Sequence, residues 1–211
     1  MPQIFLSYRV SDEPYGAAML DHMLSERFGS AAVFLASKSI PLGSLWERHM
    51  FEAVANSVAM LVIMGDRWLS AADKNGKRRL DDPTDFVRRE ILAGLELEKQ
   101  VIPTRFGVAR LEAADLPAEL RPLADRQDIE VRFRSAGIDI ERLAGKLREL
   151  IPALRDRPVP ETETAAGKFA VNAREVGHVV QGDAVTITGD MHAGPRYYFH
   201  RSTDDGADTR E

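Results

Sequence analysis

Apolar positions in the first two thirds of the chain alternate between two kinds of run. Ile4-Phe5-Leu6 is short and wholly apolar, as expected of a strand buried on both faces of a parallel sheet. Ala17, Leu20, Leu24 and Phe28 follow at helical spacing, in a segment that opens with Asp12 and Pro14 and stops at Gly29. Ala32-Val33-Phe34-Leu35 predicts a second strand, and Trp46, Met50, Ala53 and Val54 form one side of a second helix. Between them lies a loop over 36–45 that carries Pro41 and Gly43.

Ala59 to Met64 predicts a third buried strand, ended by Gly65-Asp66, and a polar, basic and mobile loop follows over 70–83. From Thr84 or Asp85, both competent N-caps, a helix runs to about Glu98 with Val87, Ile91, Leu92 and Leu95 inward. Val101-Ile102 is a fourth strand, and Ile129 to Phe133 alternates as a fifth would. Ile140, Leu143, Leu147, Leu150, Ile151 and Leu154 mark the closing helix. Alternating strands and helices with short connections predict a flavodoxin-like, doubly wound α/β sheet of five parallel strands. In such a sheet ligands bind outside the carboxyl ends of the strands, which singles out Ser7, Tyr8 and Arg9, the 36–45 loop, and the residues after Met64.

The pattern changes after Leu154. Residues 155–168 hold prolines and no apolar period, as a linker would, and 169–202 read as a short β-hairpin segment with two Gly-Asp punctuations. Residues 203–211 are expected to be disordered. The expected organisation is thus a domain over 1–154, a linker, a small β-rich appendage and a tail.

Composition narrows the chemistry. Of the 211 residues, 44% are hydrophobic and 29% charged, as in ordinary globular proteins. The absence of cysteine excludes disulfides, thiolate metal sites and cysteine nucleophiles, and agrees with a cytoplasmic location. The N-terminus has no signal-peptide pattern, and the longest apolar run, Val58 to Met64, is far shorter than a membrane span. A net charge of −5 argues against a sequence-independent grip on nucleic acid. The five histidines show no metal-ligand spacing, so no metal site is expected.

Three stretches, FLSYR-x-x-D at Phe5 to Asp12, VFLASKSIPLGSLW, and DFVRREI at Asp85 to Ile91, resemble the corresponding motifs of TIR domains, in the same order and on matching elements. The resemblance spans Pro2 to Leu154. It implies either an enzyme that cleaves the nicotinamide–ribose bond of NAD⁺, or a non-enzymatic interaction module in signal transduction. In enzymatic members the catalytic residue is a glutamate in a W-x-x-x-E-[IL] pattern. Here Phe86 stands for the tryptophan and Glu90 matches the glutamate.

The residues themselves leave alternatives open. Phe86 and Glu90 share a helical face beside the stripe of Val87, Ile91 and Leu95. Without the resemblance, Glu90 reads as a solvated helix glutamate. Arg9 either offers donors to a phosphate or ribose, or pairs with Asp12 at the surface. Trp46 either covers a ring of the substrate or packs in the core, and Trp68 either walls the pocket near Phe86 or anchors the basic loop.

The resemblance implies that Ser7, Tyr8 and Arg9 line the nucleotide pocket, and that the 36–45 loop, with Gly43, gates it and contacts a neighbouring subunit. Ala36 stands where many relatives have aspartate. NAD⁺ enters as substrate, and no cofactor is required. The implied setting is a cytoplasmic bacterial protein, activated by self-assembly, in antiphage defence or stress signalling. A phosphoacceptor receiver domain is rejected, since Ser7-Tyr8, Gly65-Asp66 and Pro103-Thr104 occupy its acidic and lysine positions. Nucleoside deoxyribosyltransferase motifs are not seen. The stretch VVQGDAVTITGDMHAG resembles short β segments at the ends of bacterial signalling proteins, which implies either a protein partner or a hairpin covering a sheet edge.

Overall fold

The computed structural model describes residues 2–154. The linker, hairpin and tail expected after Leu154 lie outside the described residues. Five strands, β1 (Ile4–Ser7), β2 (Val33–Phe34), β3 (Ala59–Met64), β4 (Gln100–Arg105) and β5 (Ile129–Glu130), form one parallel sheet in the order β2-β1-β3-β4-β5. This is the doubly wound topology that the alternation of elements predicts. The chain steps from β1 to β2 on one side and then returns to place β3 on the other, so β1 and β3 flank the switch point.

Strand alternation sorts the side chains into two cores. Ile4 and Leu6 of β1, with Ala59, Leu61 and Ile63 of β3, face α1 (Pro14–Phe28) and α5 (Ala136–Leu150). Phe5, Met60, Val62 and Met64 point the other way, toward α3 (Trp46–Asn56) and α4 (Phe86–Glu96), where Met50, Val54, Val87 and Ile91 pack on them. All six residues of β3 are buried, which accounts for the unbroken apolar run.

Local chemistry sets the element ends. Pro14 occupies the first turn of α1 and the Glu13 carboxylate accepts the Gly16 N–H. Gly29 closes the helix at φ 80°, in the left-handed region that glycine adopts without a steric penalty. Asp85 caps α4 by accepting the Arg88 N–H at 3.0 Å.

Three expected boundaries move. The 36–45 loop begins with a single helical turn, α2 (Ala36–Ser39), too short for periodicity to mark. The basic 70–83 loop is ordered by an antiparallel bridge between Ala72 and Arg78 and by a 3-10 turn over Arg79–Asp81. The fifth strand stops at Glu130 because Arg132 and Ser135 turn to bond Asp139 at the start of α5, leaving Phe133 exposed.

Candidate active site

The site forms where β1 ends. Alternation continues past the strand: Ser7 faces α4, Tyr8 packs into the α1/α5 core, and Arg9 faces α4 again. On α4, Phe86 and Glu90 lie one turn apart on one face. Glu90 is 5% exposed, so the solvated alternative does not hold for it. Its Oε2 accepts a 2.6 Å hydrogen bond from Ser7 Oγ.

Burial dominates the electrostatics of this carboxyl. Desolvation pushes the Glu90 pKa up to about 8; the Ser7 hydroxyl pulls it down, the negative charge of Asp85 raises it, and the Arg9 guanidinium lowers it. A buried carboxyl of this kind holds its proton near neutrality and gives it up when a cation approaches.

Arg9 is not paired with Asp12 at the surface. It is 3% exposed, and its two terminal nitrogens are spent on Asp85, NH1 to Oδ2 at 2.8 Å and NH2 to Oδ1 at 2.7 Å. The proposed surface partner, Asp12, instead accepts the backbone N–H groups of Gly65 and Arg67 at 2.7 and 2.8 Å. Its carboxylate thereby ties the start of α1 to the exit of β3. A Cβ on Gly65 would come within 2.9 Å of Asp12 Oδ1, so that close approach requires glycine.

Where α3 meets α4 the aromatics come together. Trp46, 45% exposed at the start of α3, stands edge-on to Phe86 with ring centroids 4.3 Å apart. The Arg89 guanidinium lies 4.8 Å from the Phe51 ring centre and 5.2 Å from that of Phe86, and donates to Glu47 at 2.6 Å. These contacts hold α3 and α4 together beside the site. A cavity of about 710 Å³ between β4, β5 and α5 contains none of Ser7, Arg9, Phe86 or Glu90. The Glu90 carboxyl is thus enclosed in the single chain.

The remaining residues singled out by sequence lie at varying distance from this chemistry. Trp68 is 1% exposed and packs in the α3/α4 core with Leu80, at the base of the 70–83 loop. Ala36 is half-buried against the same core. Gly43 is exposed at φ 77° in a turn where Ser44 N bonds Pro41 O, a geometry that favours glycine at the third position. Leu42, at the tip of that turn, is fully exposed, and Leu45 nearly so. Sequence reasoning missed the role of Asp85 beyond capping; its spacing from Arg9 carries no local pattern. Among the described residues no cluster of His, Asp or Glu has a metal-binding arrangement, and no helix is long and apolar enough to cross a membrane.

Comparison with known proteins adds the following. A family model described as TIR domain matches residues 4–151. The chain is similar in fold to the TIR domains of the activated Roq1 resistosome directly recognizing the pathogen effector XopQ, at 14% identity and TM-score 0.53, covering 70% of this chain and 99% of that one. It is also similar to the TIR domain of the Toll-related receptor TRR-2 from Hydra magnipapillata, at 14% identity and TM-score 0.45, over 70% and 99%. A metazoan TIR-STING receptor from C. gigas in complex with 2′,3′-cGAMP matches at 17% identity and TM-score 0.44, over 65% of this chain and 38% of that one. No curated protein matches the sequence.

Proposed function

The chain belongs to the TIR domain family, and from that premise we propose that it cleaves the nicotinamide–ribose bond of NAD⁺ with Glu90 as its catalytic carboxylate. The observation that carries this reading is the enclosed Glu90 carboxyl at the switch point of the sheet, held by Ser7 and edged by Phe86 and Trp46.

The chemistry asks little of the protein. As the bond from ribose C1′ to the pyridinium nitrogen breaks, its electron pair goes to nicotinamide, which departs neutral and needs no general acid. Positive charge builds on the ribose, and a carboxylate beside C1′ stabilises it. Water then adds at C1′ and loses a proton, giving ADP-ribose; capture by a nucleophile of the same molecule gives a cyclic isomer. A carboxyl whose pKa is about 8 before substrate binds is poised for this role, because the cationic ring and the developing oxocarbenium ion favour its ionised form. Trp46 and Phe86 supply aromatic surface for the departing ring.

Self-association gates the reaction in this proposal. Glu90 is enclosed in one chain, while Leu42, Leu45 and Trp46 project from the neighbouring segment. NAD⁺ and further copies of the chain are the proposed partners; a role for the residues beyond 154 in binding a protein partner, a cytoplasmic location and service in bacterial antiphage or stress signalling extend the same proposal. A second reading, a non-enzymatic scaffold, is favoured by that same exposed apolar segment.

One experiment separates the two. The purified chain is incubated with NAD⁺ over a range of protein concentrations, nicotinamide release is followed, and Glu90→Ala is run in parallel. Release that rises steeply with concentration and vanishes in the variant is the expected outcome. No release from preparations in which light scattering shows large assemblies would support the scaffold.

A further inference from the structure

Two polar rungs cross from β1 to α4. The inner rung is Ser7 to Glu90, and the outer rung is the fork of Arg9 on Asp85. A two-residue step of extended chain spans at most about 7 Å, and five helical residues rise about 7.5 Å. The step from Ser7 to Arg9 therefore matches the step from Glu90 back to Asp85. Strand and helix run side by side in opposite directions, and both rungs close in one register.

The outer rung is buried and anchored at both ends. Its side chains are 2% and 6% exposed. The Arg9 carbonyl accepts the N–H groups of Asp12 and Glu13, and Asp12 in turn holds the backbone after β3. On the other side, the Asp85 oxygen that meets Arg9 NH2 also accepts the Arg88 N–H. The carboxylate that neutralises Arg9 is thus the one that starts the helix on which Glu90 stands.

We propose that the Arg9–Asp85 pair is the positioning device of the site: it fixes the register of α4 against β1 so that the Glu90 carboxyl stands opposite Ser7, and it presents that carboxyl with a compensated rather than a bare guanidinium. The proposal rests on the NAD⁺-cleaving reading of Glu90. Both terminal nitrogens of Arg9 are occupied by Asp85, so in this proposal the pair acts on the reaction through Glu90.

The charges around Glu90 make the pair separable from a purely structural tie. From β1 it meets the Ser7 hydroxyl and the Arg9 cation, and from the cap of its own helix the Asp85 anion. Arg79, in the 79–81 turn, lies 4.0 Å from Asp85. Arg89 is turned away to Glu47 of α3. Removing the Asp85 charge while keeping an acceptor for the Arg88 N–H leaves Arg9 uncompensated and favours ionised Glu90.

Asp85→Asn does this, and Arg9→Lys keeps the charge but loses the two-point fork. The full chain is used, with nicotinamide release giving kcat and KM, and ¹³C NMR of glutamate-labelled protein giving the Glu90 titration, its resonance identified by its loss in Glu90→Gln. The expected result for Asp85→Asn is a kcat reduced at least about tenfold with KM changed less than about threefold, because a misplacement of an ångström is enough for that loss. The Glu90 titration moves to lower pH by about one unit. Arg9→Lys lowers kcat similarly, and it carries the test if Asp85→Asn does not fold. Unchanged kcat together with an unchanged Glu90 titration in a folded Asp85→Asn chain overturns the proposal. If the parent chain releases no nicotinamide at any concentration, the NAD⁺ reading fails separately; the titration, measured without substrate, then decides whether Asp85 tunes Glu90.

Discussion

Ser7 Oγ donates a 2.6 Å hydrogen bond to Glu90 Oε2 and so joins the end of the first strand to a helix 83 residues later. The bond favours the ionised carboxylate, against a burial that pushes the pKa up to about 8.

Ser7→Ala is therefore expected to raise the Glu90 pKa further and to reduce the fraction of carboxylate at neutral pH. The acid limb of kcat/KM, which reports groups of the free enzyme, moves to higher pH, and release at pH 7 falls several-fold. This shift is opposite in sign to the one expected for Asp85→Asn. A pH–rate profile of the two variants side by side checks both, and an unshifted limb in Ser7→Ala would remove the serine from any electrostatic role.

Glu90 also ties stability to pH. Its folded pKa lies above its unfolded one, so between the two the unfolded chain binds fewer protons than the folded chain, and stability falls as pH rises. The contribution is fully present below the unfolded value near 4 and is lost as pH approaches 8, on the order of 4–5 kcal/mol over that window. Glu90→Gln, which keeps a neutral acceptor for Ser7, is expected to match the parent at pH 4.5 and to melt at clearly higher temperature at pH 8. Equal melting curves at both pH values would contradict the burial of an ionisable group here.

Much of this architecture is legible in residue spacing, and the remainder fails for identifiable reasons. Ala59–Met64 falls on its expected bounds because a strand covered on both faces admits no polar residue. Pro14, Gly29 and Asp85 mark helix ends because capping is local chemistry. The fifth strand reads too long, since the alternation of Ile129, Val131 and Phe133 cannot reveal that Arg132 leaves the ladder for Asp139. Glu90 within an Arg-Arg-Glu run gives no sign of burial; only its match to a family pattern picks it out. The Arg9–Asp85 fork joins positions 76 apart, and pairing over such a distance leaves no trace in either neighbourhood.

On the proposed reaction, Trp46 is expected to present aromatic surface to NAD⁺. It is 45% exposed; burial of the rest of its side chain contributes about 2 kcal/mol by area, and the edge-on pair with Phe86 adds about 1 kcal/mol. Trp46→Ala is expected to lower stability by about their sum and to raise KM for NAD⁺ roughly tenfold, with kcat less affected, as loss of a surface used equally in ground and transition states requires. Thermal denaturation and steady-state kinetics on one preparation check both parts. An unchanged KM would leave Trp46 with a packing role alone.

The segment that carries Leu42 offers the most direct test of the proposed assembly. Gly43, at φ 77°, closes the turn from Pro41 to Ser44 and leaves Leu42 fully exposed at its tip, with Leu45 and Trp46 beside it. Because Leu42 is exposed in the single chain, Leu42→Glu should change folding stability by less than about 0.5 kcal/mol. Burying one leucine in an interface contributes about 2 kcal/mol, and placing a charge there removes that gain and adds a desolvation penalty. The protein concentration at which nicotinamide release turns steeply upward is therefore expected to rise by about tenfold to a hundredfold, with the melting temperature unaltered. Light scattering and release rates measured across the same dilution series test this together. A variant that assembles and reacts like the parent would show that contact between copies is made elsewhere on the domain.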